Sequence, residues 1–215
     1  MTATGLLGAI GTVIGLTRAL PQLLRLLRTR DAHGVSLDSA VTISVVSYAW
    51  AGYGLATDQL AVAVASGLNA TVFLFIALLS VALGRSPSEL RAAPIWLVVA
   101  VTAAAIGGSQ GLGVVLVASA LIANLPQVLV AYRESDLTGL SPSTWALTAS
   151  DGAVWTAYGL ITGDVPILVN NVFQLSTALA ILARRLAWGA RHRSTGHERS
   201  VEPVGAHQAP SDDSA

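Results

Sequence analysis

The sequence predicts an all-α membrane protein with seven transmembrane helices, arranged as two parallel triple-helix bundles joined by a linker helix. Three observations predict this fold class: an apolar composition, an internal duplication and the distribution of arginine. Of the 215 residues, 53% are hydrophobic and 11% are charged, and the mean hydropathy is +0.64. A soluble core of this length needs far fewer apolar residues, so most of the chain is expected to lie in a bilayer.

The duplication is marked by a Leu-Pro-Gln triplet that occurs at residues 20–22 and again at residues 125–127. The same offset of 105 residues relates eleven further identical pairs without any gap, among them Trp50 with Trp155. Chance does not produce such a run, so each copy is predicted to be one structural repeat of about three helices.

Seven apolar segments are long enough to be read as spans. They cover residues 5–28, 35–57, 60–83, 93–108, 112–132, 141–162 and 165–187. We therefore expect a first repeat over 1–84, a loop and linker helix over 85–110, and a second repeat over 111–187. Residues 188–215 are polar and are expected to form a disordered cytoplasmic tail.

The arginines predict the orientation of the spans. Arg28 and Arg133 follow the first and fifth spans, whereas the alternate loops contain only Asp58 and Asp164 as charges. The positive-inside rule then places the C-terminus in the cytoplasm and the N-terminus outside a cell membrane. Three helices per repeat would invert the second copy, so one extra helix must lie between two repeats that have the same orientation. The fourth span has no counterpart in the duplication and is expected to be that linker helix.

A Pro-Gln in the first helix of a triple-helix repeat resembles the PQ-loop superfamily, and most closely the SWEET and SemiSWEET sugar transporters. Residues 155–171, which contain Trp-Thr-Ala-Tyr-Gly-Leu and a later Asn-Asn pair, are similar to the SemiSWEET segment that carries the pocket tryptophan and asparagine. The resemblance extends from Gly5 to Leu186. It implies that Trp155 and Asn171 contact a sugar.

The first repeat departs from that pattern at its asparagine, which is replaced by Ser66, although Asn69 lies one helical turn further on. The paired gating prolines of plant-type relatives are also incomplete, because Ala61 and Leu37 stand where the second repeat has prolines. The substrate-binding candidates are Trp50, Trp155, Ser66, Asn69, Asn170 and Asn171.

The residues favour a pocket independently of the resemblance. Trp50 and Trp155 lie seven residues before the outer ends of their spans, about 10 Å deep, rather than in the interfacial belt where tryptophan is common. Asn171 and Ser66 lie at the same depth. Indole faces beside amides and hydroxyls suit a polyol ring. The alternative is that these side chains only pack and bond between helices.

Asp151 and Arg18 are buried charges without charged partners in the duplication, since Val46 and Ala123 occupy the equivalent positions. An ionised side chain near the bilayer centre costs on the order of 2.5–3.5 kcal/mol on the translocon scale. Three roles stay open: a structural or gating ion pair, proton coupling through Asp151, and direct contact with substrate. Asp151 also resembles an acidic position of cystinosin-like PQ-loop proteins, which export amino acids with protons.

Pro21 and Pro126 each remove one helix hydrogen bond, and the neighbouring Gln22 and Gln127 bring an amide into the span. Their symmetric placement favours a role as hinges of an inner gate during alternating access. Kinks stabilised by neighbouring helices are the alternative.

The favoured function is alternating-access transport of small sugars by passive uniport. The alternative is proton-coupled transport of an amino acid or another small polar metabolite through Asp151. A retinal-based receptor is excluded, because the chain contains no lysine for a Schiff base. We expect no enzymatic activity, cofactor, metal or nucleic-acid partner, since no catalytic, phosphate-binding or metal-ligand pattern occurs. The expected partners are a small-molecule substrate and the lipid bilayer, and a homo-oligomer is compatible with the sequence.

Overall fold

The computed structural model describes residues 2–134 and 136–200, and these residues form helices and short connections. The helices are α1 (Ala3–Thr29), α2 (Leu37–Ala56), α3 (Leu60–Ala82), α4 (Ala92–Arg133), α5 (Pro142–Thr162) and α6 (Val165–Ser200), with a 3₁₀ turn at Pro87–Glu89. We call the end of the bundle that bears Arg28 and Arg133 the arginine end.

The second helix of each repeat begins in the same way. Ser36 Oγ accepts a hydrogen bond from the backbone N–H of Ser39, and Ser141 Oγ accepts one from that of Thr144. A serine in this position satisfies one of the backbone N–H groups that a helix start leaves unpaired. Because the two serines are 105 residues apart, the duplication extends to the helix caps.

Helix α4 consists of two arms that meet at Gly108, whose φ of 57° and ψ of −143° are not helical. A Cβ added at Gly111 would lie 2.6 Å from the carbonyl oxygen of Ala103. In a straight helix these residues would be about 12 Å apart along the axis, so the chain reverses direction between the arms. The break coincides with the expected end of the fourth span.

Glycines at equivalent positions let the second helix of each repeat approach the third. A Cβ added at Gly54 would lie 2.7 Å from the backbone nitrogen of Ala63, and one added at Gly159 would lie 2.8 Å from that of Leu168. Small residues at helix crossings permit this backbone approach in membrane proteins. The duplicated Tyr-Gly pair therefore marks a packing contact within each repeat.

The two halves meet through contacts of α1 with α5 and of α2 with α4. Between them lies an apolar cluster in which Tyr53, Leu116, Tyr158 and Ile167 are buried. A second cluster, around Leu26 and other buried side chains, packs the first repeat near the arginine end.

Within residues 2–134 and 136–200, four helices are long and apolar enough to cross a membrane: Ala3–Thr29, Leu60–Ala82, Ala92–Arg133 and Val165–Ala190. Helices α2 and α5 carry more polar side chains and do not meet that criterion. The bundle also exposes many large apolar side chains, including Val13, Ile106 and Val114 at 65%, 84% and 69%. Such a surface suits lipid, and the chain is an integral membrane protein.

The last helix differs from the sequence expectation at its end. It continues from Val165 to Ser200, whereas the sequence predicts a span that ends at 187 and a disordered tail over 188–215. No proline occurs between Pro166 and Pro203, so nothing in this stretch forces the helix to stop. Residues 201–215 lie outside the described residues.

Candidate substrate-binding cavity

A cavity of about 780 Å³ lies between the two halves of the bundle. Its walls come from α1, α2, α3, the second arm of α4, α5 and α6. This volume falls within the range of about 300–1,000 Å³ that is common for small-molecule sites. The cavity extends from Val62 and Ile167, the third residues of α3 and α6, past the tryptophans to Thr144, the third residue of α5.

All six substrate-binding candidates line this cavity. They are Trp50, Trp155, Ser66, Asn69, Asn170 and Asn171. Helices of both repeats converge to bring them together, although they are up to 121 residues apart in sequence (171 − 50). The sequence reading thus placed these residues at one site, and their role in binding stays a hypothesis.

Each of the two tryptophans packs against a tyrosine that lies three residues later on the same helix. The ring centroids of Trp50 and Tyr53 are 5.6 Å apart at an interplanar angle of 81°, and those of Trp155 and Tyr158 are 5.4 Å apart at 62°. Edge-to-face contacts of this kind restrain the indoles. Each indole therefore presents a fixed surface at the cavity wall.

Trp155 is also held against α1. A Cβ added at Gly11 would lie 2.6 Å from Cε2 of Trp155, so only glycine leaves room for the indole there. The residue equivalent to Gly11 in the second repeat is Leu116, which is buried beside Trp50 in the apolar cluster between the halves. The two halves of the binding layer are therefore not equivalent.

The amide groups of the cavity are partly satisfied by their surroundings. Asn171 is 8% exposed, and its Nδ2 donates to the carbonyl oxygen of Ile167 at 2.7 Å. Asn69 Nδ2 donates to Ser47 Oγ at 3.0 Å. Each bond uses one of the two N–H donors of its amide, so the second N–H and the amide oxygen are left for hydrogen bonds with a ligand.

Arg18 and Asp151 form an ion pair at the cavity wall. Arg18 Nη1 donates to Asp151 Oδ2 at 3.0 Å, and Gln174 Nε2 donates to the same oxygen at 3.2 Å. The Asp151 side chain is 11% exposed, whereas that of Arg18 is 38% exposed. The pair joins α1 of the first repeat to α5 of the second. Gln174 was missed by sequence reasoning, although its equivalent in the first repeat is the candidate Asn69.

The expected hinge residues lie inside continuous helices. Pro21 lines the cavity, and α1 remains helical from Ala3 to Thr29. Gln22 and Gln127 are not among the cavity-lining residues, and Pro126 lies within the second arm of α4. The structure therefore brings Pro21 to the cavity, and the role of all four residues in gating stays a prediction.

A pair of reciprocal contacts lies at the end of the bundle opposite the arginine end. Tyr53 OH donates to both carboxylate oxygens of Asp164, at 3.0 and 2.9 Å, and Tyr158 OH donates to Gln59 Oε1 at 2.7 Å. Each tyrosine reaches the residue that precedes the third helix of the other repeat. We call these four residues the tyrosine latch.

Sequence reasoning missed the latch, because Asp164 was considered only as a loop charge. The signal was available in the duplication, since Tyr53 pairs with Tyr158 and Gln59 pairs with Asp164 at the same offset of 105. The contacts between repeats could not be read from that offset, which relates equivalent positions rather than neighbours in space.

Comparison with known proteins bears on the fold of the chain. No family model matches the sequence, and no curated protein matches it. Among solved structures, the chain is similar to a eukaryotic SWEET transporter, with a TM-score of 0.67 and 19% sequence identity. The match covers 88% of this chain and 100% of that one. The protein therefore has the fold of a SWEET transporter.

Proposed function

We propose that this protein carries small sugars across a membrane by alternating access, as a passive uniporter. In this proposal, the two arms of α4 act as a linker span and as the first helix of the second repeat, which gives seven spans arranged as three plus one plus three. The N-terminus is then outside the cell and the arginine end is cytoplasmic. The observation that carries the proposal is the single cavity in which Trp50 and Trp155 meet amide and hydroxyl side chains.

The lining suits a sugar because it offers two kinds of surface. The C–H faces of a sugar ring are apolar and pack on the indole rings, while the hydroxyls need hydrogen-bond partners. Asn69 and Asn171 have amide oxygens free to accept from those hydroxyls, and Ser66 adds a hydroxyl. The likeness in fold to a SWEET transporter supports the same function.

In this proposal, the geometry is that of an inward-facing state. The tyrosine latch lies beyond the tryptophans on the outer side, and the cavity extends the other way as far as Thr144. Outward opening then requires Tyr53 to leave Asp164 and Tyr158 to leave Gln59, while the inner ends approach each other. Pro21 and Pro126 are the proposed hinges for that inner movement.

The proposal is tested by uptake of glucose and sucrose into proteoliposomes containing the full-length protein. We expect Trp155→Ala to abolish saturable uptake because it removes the restrained indole. Trp96→Ala is the matched control, since Trp96 does not line the cavity and should leave uptake unchanged. Normal sugar uptake by Trp155→Ala would remove the proposed site.

A further inference from the structure

Within the part of the chain that the structure describes, the charged side chains of the cavity are Arg18 and Asp151. Their equivalents in the other repeat are Ala123 and Val46, so the fold forms at these positions without any charge. Charges near the bilayer centre are costly and commonly mark a functional pathway. A site for a neutral sugar would not need them, because amides and hydroxyls already supply hydrogen bonds.

The two charges are not equally available to a ligand. Both bonds to Asp151 end on Oδ2, and Oδ1 is buried. Arg18 engages Nη1 alone among the described residues, and its side chain is the more exposed one, at 38% against 11%. Nε and Nη2 of the guanidinium therefore remain as donors, and the charge that the cavity presents is positive.

We propose that Arg18 determines specificity and that the cavity accepts a sugar-sized solute bearing a carboxylate, such as a sugar acid. This inference rests on the proposed transport function and names its substrate class. The planar guanidinium has five N–H donors in a fork that matches a carboxylate in a bidentate way. One donor holds Asp151, which orients the fork and keeps the empty cavity neutral, while the others bind the substrate's carboxylate.

The position of Arg18 relative to the tryptophan layer fits this assignment. Gly11, which seats the Trp155 indole, lies seven residues before Arg18, or two helical turns along the same face of α1. On α5, Asp151 lies four residues before Trp155 and so shares its face. Because Arg18 contacts Asp151, a solute whose ring packs on Trp155 would then direct a carboxylate about one turn along α5, toward Arg18.

The competing explanation is that the pair only clamps the two repeats together, because it joins α1 to α5. The two explanations predict different results for single variants. If the pair is a clamp, removing either partner should reduce the uptake of every solute, and exchanging the two charges should restore it. If Arg18 binds a carboxylate, only the uptake of the acid depends on it.

The experiment measures uptake of glucuronate and of glucose by the full-length protein in proteoliposomes. We expect the wild type to take up both. Arg18→Gln should lower the uptake of glucuronate at subsaturating concentration by roughly tenfold or more, because hydrogen bonds to charged groups are strong. Glucose uptake should change by less than about twofold, which also shows that the variant is folded. Asp151→Asn keeps the Arg18 charge and loses the carboxylate that orients its fork, so glucuronate uptake should fall less than in Arg18→Gln.

A second variant separates charge from shape. Arg18→Lys keeps the charge and loses the fork, so glucuronate uptake should fall between those of the wild type and Arg18→Gln. Equal losses of both solutes in Arg18→Gln and Asp151→Asn, with recovery in the exchanged pair Arg18→Asp and Asp151→Arg, would establish the clamp and overturn the inference. If the wild type takes up glucose but not glucuronate, the inference about sugar acids is wrong and the proposed function stands. If it takes up neither solute, the proposed function is wrong as well.

Discussion

At the scale of single residues, the seat of Trp155 is the most constrained feature of the cavity. The indole packs between Tyr158 on its own helix and the backbone of α1 at Gly11, so its orientation is fixed from two sides. Restraint of this kind is what a stacking surface for a sugar ring requires, since an indole that is free to rotate would lose entropy on binding.

Gly11→Ala should therefore weaken substrate binding. The added methyl group would overlap the Trp155 ring, and overpacking of this kind costs about 1–3 kcal/mol, which corresponds to a rise in KM of roughly fivefold or more. Gly52→Ala is the matched control, because Gly52 is not among the cavity-lining residues and a Cβ there meets no atom within 4 Å. Similar KM values for the two variants, measured by sugar uptake, would show that the seat is not needed.

Asp151 allows the proton-coupled alternative to be tested at the same scale. Its carboxylate is held by Arg18 and Gln174, so uniport predicts that an inward proton gradient leaves sugar uptake unchanged. The Asp151→Asn variant should likewise show the same sugar uptake with and without the gradient. Stimulation by the gradient in the wild type, lost in Asp151→Asn, would instead establish proton coupling.

At the scale of helices, the tyrosine latch and the glycine contacts have different roles. The latch joins the second helix of each repeat to the loop before the third helix of the other, whereas the glycines fix neighbouring helices within one repeat. Contacts between repeats must change in alternating access, and contacts within a repeat need not.

The latch is asymmetric, so its two arms should differ in strength. Tyr53 donates to a carboxylate and Tyr158 to a neutral amide. Hydrogen bonds to charged groups contribute about 1.5–3 kcal/mol and neutral ones about 0.5–1.5 kcal/mol. Tyr53→Phe should consequently favour outward opening more than Tyr158→Phe, while both phenylalanines keep their ring contact with the tryptophans.

This difference can be measured by labelling, because the chain contains no cysteine. A cysteine introduced at the buried, cavity-lining position Val62 should react faster with an impermeant maleimide added outside when Tyr53 is phenylalanine. Tyr48→Phe is the control, since the Tyr48 hydroxyl pairs with Thr71 away from the latch. An unchanged labelling rate in Tyr53→Phe would contradict the assignment of the latch as an outer gate.

Gly159→Ala should destabilise the second repeat, because the methyl group would meet the backbone of α6 at Leu168. We expect a loss of about 1–3 kcal/mol, seen as a lower Tm in detergent. Gly52→Ala should be tolerated, as nothing lies within 4 Å of its added Cβ. Equal Tm values would show that the helices can separate to accommodate the methyl group.

At the scale of the whole molecule, composition and duplication were enough to predict the main features from sequence. The helical membrane class, the meeting of Trp50 with Trp155, and the break near residue 108 could all be read from apolar runs and the 105-residue offset. The six candidates, whose role in binding stays a prediction, could be placed together because equivalent depths in antiparallel helices imply one layer.

The remainder depended on contacts between the repeats, which no offset in the sequence encodes. The latch needed the spatial proximity of Tyr53 and Asp164, and the choice of Oδ2 over Oδ1 at Asp151 needed side-chain geometry. Helix α6 also continues past residue 187 to Ser200, a stretch in which polar composition indicates a tail and no proline interrupts the helix.

The molecule thus consists of two related halves around one cavity, in the fold of a SWEET transporter at 19% identity. We propose that this cavity carries a sugar-sized solute passively between the two sides of a membrane. The most direct measurement is counterflow, in which proteoliposomes preloaded with unlabelled sugar accumulate labelled sugar transiently without any ion gradient. We expect such accumulation by the wild type and none by Trp155→Ala. Absence of counterflow in the wild type for glucose, sucrose and glucuronate would contradict it.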